Sequence, residues 1–243
     1  DEINRSLIQK KELLENKKKD ISKKKDKLLF EESKKISVDI DKLSKEQQKT
    51  KIEIENIISS IPNLPLNDVP VGKDEKSNKE ISKSGKINDF NFSVKSHFDI
   101  GNNLGMLDFD LASKTTGSRF VFVKDKLAML ERAISNFMID THTKKNGYTE
   151  INPPLIANES TMFGTGQLPK FESDQFEIKL DSESDRKFLI PTAEVILTNM
   201  VRDQILNASN LPIRLVASTP CFRKEAGSYG KDTKGMIRQH QFY

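Results

Sequence analysis

The chain has 243 residues, of which 35% are hydrophobic and 31% charged, and it carries a net charge of +4. Its one cysteine, Cys221, excludes a disulfide framework and a cysteine zinc site, and His97, His142 and His240 lack metal-ligand spacing. No apolar run approaches the roughly 20 residues a membrane helix needs, so the composition fits one large soluble domain or two small ones.

Before Pro62 there is no Gly and no Pro. Leu7, Leu14, Ile21 and Leu28 fall seven apart, and Ile36, Ile40, Leu43, Gln47, Thr50, Ile54, Ile57 and Ile61 alternate four and three apart. This predicts two helices joined near Phe30–Lys35 as an antiparallel hairpin, each limb about 25 residues and roughly 38 Å long. Between the first limb's leucines sit Lys10, Lys17 and Lys24 or their neighbours, whose stems can lie along the seam. From Arg5 to Lys35 there are twelve Lys and Arg against six Asp and Glu; from Ile36 to Ser60 there are four Lys against five acids. The first limb therefore suits contact with a polyanion, although a solvated lysine-rich coil or a dimerising coiled coil fits the same pattern.

Pro62, Pro65 and Pro70, then the polar run Gly72–Lys86, predict a connector over residues 62–96, where Asp74 and Glu75 read as solvated loop rather than a ligand pair. A compact α+β domain is expected from His97. Arg119–Val123 reads as a strand. Leu127, Leu130, Ile134, Phe137 and Met138 mark the buried face of a helix from about Lys124 to Lys145. Gly147 stops it, and Tyr148–Asn152 is a strand ended by Pro153 and Pro154. Gly164–Gly166 is a flexible loop. Glu177–Leu180 and Phe188–Ile190 form a hairpin around Asp181–Arg186, and Thr192 caps a helix from about Ala193 to Leu206. Arg214–Thr219 and Cys221–Glu225 are strands, with Cys221 buried.

The last stretch carries the chemistry. Arg223 and Glu225 share a face of a strand, as do Arg238, His240 and Phe242 on the next one. Between them Gly227, Gly230 and Gly235, with Lys231 and Lys234, make a mobile cationic loop. A planar guanidinium for phosphate, an acceptor beside it, a second arginine and a ring for a base suit a nucleotide. An ordinary β-hairpin with surface charge fits the spacing equally. No GxxxxGK[ST] phosphate loop occurs, since Gly230-Lys231-Asp232 departs from it.

Phe222–Phe242, FRKEAGSYGKDTKGMIRQHQF, resembles motif 2 of class II aminoacyl-tRNA synthetases and in detail that of the seryl-tRNA synthetases. Further similar stretches are Ser60–Asp74 (SIPNLPLNDVPVGKD), His97–Asp140, Gly147–Ile156 (GYTEINPPLI, like motif 1), Phe163–Phe171 (FGTGQLPKF) and Pro191–Val195 (PTAEV). The likeness covers about residues 60–243, and the helical arm by architecture. It implies an incomplete antiparallel-sheet catalytic domain of the class II synthetases at 97–243, preceded by a coiled-coil tRNA-binding arm at 1–61 and the connector. This arm lacks the family's longer tip and the segment that usually precedes it.

The implied activity is serine–tRNA ligase: ATP-dependent formation of seryl-adenylate, then transfer to serine tRNA. By resemblance, Arg223 clamps the α-phosphate and the serine carboxylate, Glu225 accepts from the adenine amino group, Arg238 meets the γ-phosphate and Phe242 stacks on adenine. Arg223 and Arg238 are thus the catalytic pair, and Thr192 and Glu194 join Arg223 in the serine site. Lys17, Lys18 and Lys24 are expected on tRNA, and Pro154 at the interface of a homodimer, together with the long helix and the strand beside it. ATP is the nucleotide substrate, and the Mg²⁺ ligands are expected beyond residue 243. The chain stops inside motif 2, before motif 3, so as given it is expected to activate serine poorly. A cytoplasmic location is implied. Two alternatives stay open: a non-catalytic synthetase-like tRNA-binding protein, and a ligase loading a carrier protein, whose relatives lack the long arm.

Overall fold

The computed structural model of the protein describes residues 1–24, 29–180, 185–226 and 234–243. The chain divides into two units, Asp1–Glu80 and Ile81–Tyr243.

In the first unit the heptad spacing yields α1 (Glu2–Lys24) and α2 (Phe30–Ser60). They run antiparallel: Lys17 Nζ lies 2.8 Å from Glu32, while Lys10 and Leu14 border a hollow with Asp39, Leu43 and Glu46. On α1 the inward stripe is Asn4, Leu7, Lys11, Leu14, Lys18 and Ile21, three and four apart and all half-buried. The lysines whose stems line the seam are therefore Lys11 and Lys18, while Lys10 and Lys17 are exposed. On α2, Ile36 is buried, and Ile40, Leu43, Gln47, Thr50 and Ile54 are half-buried. The expected joint at Phe30–Lys35 is instead the first turn of α2, where Glu31 and Glu32 favour the positive helix end. Ile57 and Ile61 leave the seam and are each 61% exposed. At 31 residues against 23, α2 is the longer helix. Leu28 lies outside the described residues. In the connector, Asp74 accepts from the Lys76 N–H and caps a 3₁₀ turn, Glu75–Ser77, a structural use of the Asp74–Glu75 pair.

In the second unit Ser96 caps α3 (His97–Asn103), accepting from the Asp99 N–H. Strand β1 (Leu107–Asp108) pairs antiparallel with β2 (Phe122–Val123), and between them Asp108 caps α4 (Phe109–Thr115). The expected strand from Arg119 shrinks to two residues because Arg119 sits at φ 62°, off the extended backbone. Helix α5 (Asp125–Lys145) follows. Strand β3 (Thr149–Glu150) pairs with β7 (Leu215–Val216), and this pair is parallel. After the two prolines, β4 (Ile156–Asn158), unforeseen in the sequence, joins β5 (Glu177–Ile178) and β6 (Lys187–Leu189) in the antiparallel order β4-β6-β5. The hairpin of β5 and β6 is as expected; residues 181–184 of its turn lie outside the described residues. Helices α6 (Glu159–Gly164) and α7 (Glu194–Asn199) close over this sheet. Ala157, Met162, Leu168, Phe188, Ile190 and Val195 form the core between them. Strand β8 (Cys221–Phe222) pairs antiparallel with β9 (Gln241–Phe242).

Two further expectations fail. Helix α7 ends at Asn199 rather than near Leu206: the Asn199 amide turns back to the carbonyls of Val195 and Thr161, and Asp203 has φ 57°. The apolar face of α5 is not buried in this chain. Leu130, Ile134, Phe137 and Met138 are 53%, 49%, 68% and 55% exposed, because β3 and β7 are only two residues long and cannot cover a 21-residue helix.

Candidate functional site

The ribbon β8–β9 positions the candidate residues. Its ladder continues one step past β8, with the Arg223 N–H donating to the His240 carbonyl at 3.0 Å. The His240 ring packs between Phe120 and Phe176, at 5.4 and 5.8 Å between centroids. Its Nδ1 lies 2.9 Å from the Arg223 carbonyl, and since a carbonyl only accepts, Nδ1 carries the proton. The root of Arg223 is thus fixed from both sides. Its side chain is held as well: Nε donates to the Pro191 carbonyl at 3.2 Å, and the guanidinium lies 5.1 Å from the centroid of the Phe242 ring. Pro191 is fully buried, which makes that carbonyl a rigid anchor beside Thr192. The remaining guanidinium donors stay on an exposed residue.

Glu225 is not on the strand with Arg223. Its φ is 50°, a left-handed conformation that costs a residue with a Cβ roughly 1–2 kcal/mol, so the alternation of faces breaks there. Arg119 Nη1 donates to the Glu225 carbonyl at 2.8 Å. Asp174, in the 3₁₀ turn Glu172–Asp174, takes the N–H of Lys224 on its carbonyl at 2.8 Å and the N–H of Ala226 on its carboxylate at 2.7 Å. Glu225's carboxylate, with 18% of its side-chain surface exposed, meets Arg238 at 2.6 Å. The two groups expected at opposite ends of a nucleotide are therefore each other's partners in this structure. Arg238 itself precedes β9 rather than lying on it.

Residues 227–233 of the loop, including Gly227, Gly230 and Lys231, lie outside the described residues. At its far end Gly235 has φ 70°, and a Cβ there would stand 2.3 Å from His97 Nε2, so only glycine fits. That nitrogen accepts the Met236 N–H at 2.8 Å, tying the loop's exit to α3.

Thr192 and Glu194 border different hollows. Thr192, with Leu127, Ile134, Met138, Val216 and Phe242, lines a cavity of about 690 Å³ along α5. Glu194 lines one of about 460 Å³ with Leu197, Thr198, Val201 and Ile213. The larger cavity is mostly aliphatic, and Arg223, Glu225 and Arg238 do not line it, so its size does not mark a polar site. Thr192 Oγ1 accepts from the Glu194 N–H at 3.4 Å, a long bond and a weak cap.

Elsewhere, Pro154 is exposed and Pro153 buried. Lys17 pairs with Glu32, Lys18 lies in the helical seam, and the side chain of Lys24 is outside the described set. Among the described residues no group of three or more His, Cys, Asp or Glu could hold a metal ion. No helix among them is long and apolar enough to cross a membrane. Sequence reasoning missed Arg119, Asp174, His97 and the Pro191 carbonyl. Each acts on a partner tens of residues away or more, and no local pattern signals that.

A second charged cluster lies nearby. Arg186 on the β5–β6 hairpin donates to Glu159, Glu172 and Glu177 and covers the Phe188 ring. The hydrogen bond from Arg186 holds the Glu177 carboxyl below the usual carboxylate range, and the glutamates raise the guanidinium's pKa in turn. Glu172 belongs to the same 3₁₀ turn as Asp174.

Residues 174–243 match the family model of the tRNA synthetase class II core domain (G, H, P, S and T). Over all 243 residues the chain is 73% identical to a serine–tRNA ligase of Pelagibacter ubique (strain HTCC1062), and it spans 58% of that protein. Over 223 residues it is 48% identical to the serine–tRNA ligase of Azorhizobium caulinodans, covering 50% of it. The whole chain superposes on 60% of a seryl-tRNA synthetase from Pyrococcus horikoshii crystallised with ATP, with a TM-score of 0.81 and 32% identity. It also superposes on 56% of a cytoplasmic serine–tRNA ligase from Naegleria fowleri in complex with AMP, with a TM-score of 0.78 and 29% identity. The chain thus spans between half and three fifths of these four proteins. Whole-length identity and fold agree: the chain is similar throughout to seryl-tRNA synthetases, and over residues 174–243 to the class II core domain.

Proposed function

We propose that the protein to which this chain belongs is a serine–tRNA ligase of the cytoplasm, activating serine with ATP and transferring the seryl group to serine tRNA. The observation that carries this reading is the Arg223 guanidinium, anchored through Nε to the Pro191 carbonyl and over Phe242, with its other donors left on an exposed residue. Attack of the serine carboxylate on the α-phosphate needs alignment and neutralisation of charge more than a general base. A guanidinium held in advance stabilises the developing charge by roughly 3–4 kcal/mol. Anchoring through one nitrogen also cuts the entropy that would otherwise be lost when the remaining donors engage both reactants.

Glu225 accepts from the adenine amino group, Phe242 stacks on the base from the face away from Arg223, and Arg238 binds the γ-phosphate. These roles require the Arg238–Glu225 pair to open. A partly exposed pair contributes only about 0–1 kcal/mol, less than a charge-assisted contact to phosphate returns, so nucleotide binding can exchange one for the other. Thr192, next to the Pro191 anchor, binds the serine ammonium, and Glu194 orders the pocket. Mg²⁺ enters with the ATP phosphates and neutralises their charge. Lys17, Lys18 and Lys24 contribute to tRNA binding on the basic first helix, and Pro154 and the open face of α5 form the interface of a homodimer.

Charging of serine tRNA by the full-length protein tests the proposal. Serine is expected to be the amino acid attached, and attachment of another amino acid with none of serine contradicts it.

A further inference from the structure

We propose that Asp174 is a positioning residue for Glu225, setting the carboxylate that selects adenine. This rests on the reading of Glu225 given above. Glu225 occupies a left-handed backbone conformation that no glycine relieves, and such a residue persists only where its surroundings hold it. Asp174 supplies that hold from both flanks: its carbonyl binds the N–H of residue 224 at 2.8 Å and its carboxylate the N–H of residue 226 at 2.7 Å. With its two neighbours fixed to one residue, Glu225 cannot relax to an extended backbone without breaking at least one of these bonds. Relaxation would swing its side chain to another face and away from Arg238.

Asp174 is itself placed. Its N–H donates to the Phe171 carbonyl at 3.0 Å. The 3₁₀ turn it ends is tied through Glu172 to Arg186, which also grips Glu159 and Glu177. Lys224 Nζ lies 5.8 Å from the centroid of the Phe176 ring, a further link between the same two segments. The chain of support thus runs from the rigid β4-β6-β5 sheet, through one turn, to the carboxylate. Its other backbone restraint, Arg119 on the Glu225 carbonyl, acts from a separate element. Asp174 touches no part of a nucleotide in this scheme and acts only through Glu225.

The test uses the full-length protein, with kcat and KM for ATP and for inosine triphosphate, whose 6-oxo group replaces the adenine amino group. Asp174→Ala is expected to raise KM for ATP about tenfold and to lower the preference for ATP over inosine triphosphate by a similar factor, leaving KM for serine unchanged. Asp174→Asn, whose amide oxygen still accepts the Ala226 N–H, is expected to behave like the parent. In a Glu225→Ala background, Asp174→Ala is expected to cause no further loss of preference. Should Asp174→Ala not fold, Asp174→Ser carries the same expectations, because its shorter side chain does not reach Ala226. An unchanged nucleotide preference in folded Asp174→Ala or Asp174→Ser overturns the proposal if Glu225→Ala does change it. If Glu225→Ala itself leaves the preference intact, the adenine role of Glu225 fails first, and the proposal fails with it.

Discussion

Arg223 and Glu225 are two apart in sequence yet obey different rules. Arg223 continues a ladder, and its neighbour Phe222 is paired in register with Gln241. Glu225 leaves the ladder through a positive φ, held by groups 51 and 106 positions away in the chain. The resemblance singled out both residues, whereas strand alternation describes the backbone of only one of them. The Arg238–Glu225 pair gives a prediction at this scale. Arg238→Ala frees the Glu225 carboxylate while removing a phosphate contact, so KM for ATP rises about tenfold in the full-length protein while KM for serine holds steady. Steady-state activation kinetics check it; a KM for ATP equal to the parent's removes Arg238 from the phosphate site.

Among the elements, the two helices of the first unit and the long helix α5 were legible because periodicity over twenty or more residues leaves little ambiguity. Most of the short strands were legible in place, with β1 and β4 the exceptions, but not in length or partner. The pairing of β3 with β7 is set by a partner far along the chain, and local propensity carries no trace of it. The start of α4 is a local device with a pH consequence. Asp108 accepts the Leu111 N–H at 2.9 Å and meets Lys124 at 3.0 Å, and these two contacts hold its carboxyl below the ordinary range. Its folded pKa therefore lies below the unfolded value of about 3.9. The stability it adds is present above that value and is lost as pH falls through the folded pKa. Urea midpoints of the parent and Asp108→Asn are expected to differ at pH 7 and to draw together as the pH falls below about 3.9; a gap that stays constant through the acid range would rule out ionisation as the source. The open face of α5 makes a prediction too. Phe137 is 68% exposed in the single chain, and an exposed ring on an apolar stripe is the kind of surface that protein interfaces use. If the homodimer is right, Phe137→Asp shifts the full-length protein from dimer to monomer in sedimentation. A monomeric parent, or a dimer untouched by Phe137→Asp, speaks against an interface on this face.

For the molecule as a whole, the proposed function assigns the basic first helix and the ribbon to two different substrates. Charge reversal at Lys17 and Lys24 is expected to weaken tRNA binding and flatten its dependence on salt without altering serine-dependent activation, because counterion release scales with the phosphates contacted. Filter binding across a salt series reads this; unchanged binding returns the helix to a merely solvated face. Lys18 is a poorer probe, since its stem fills the seam and reversing it disturbs the hairpin as well. The family was legible from ordered motifs spread over most of the chain. What linked those motifs was not: Pro191 to Arg223, Arg119 and Asp174 to Glu225, and His97 to Met236 join segments that sequence spacing treats as unrelated.

Serine-dependent exchange of pyrophosphate into ATP, measured for the full-length protein and its Arg223→Ala variant, bears most directly on the clamp at the ribbon's edge. The account predicts robust exchange driven by serine in the parent and a loss of roughly 100- to 1000-fold in the variant, with the circular dichroism spectrum unchanged. Exchange within a few-fold of the parent in a folded Arg223→Ala protein would contradict it.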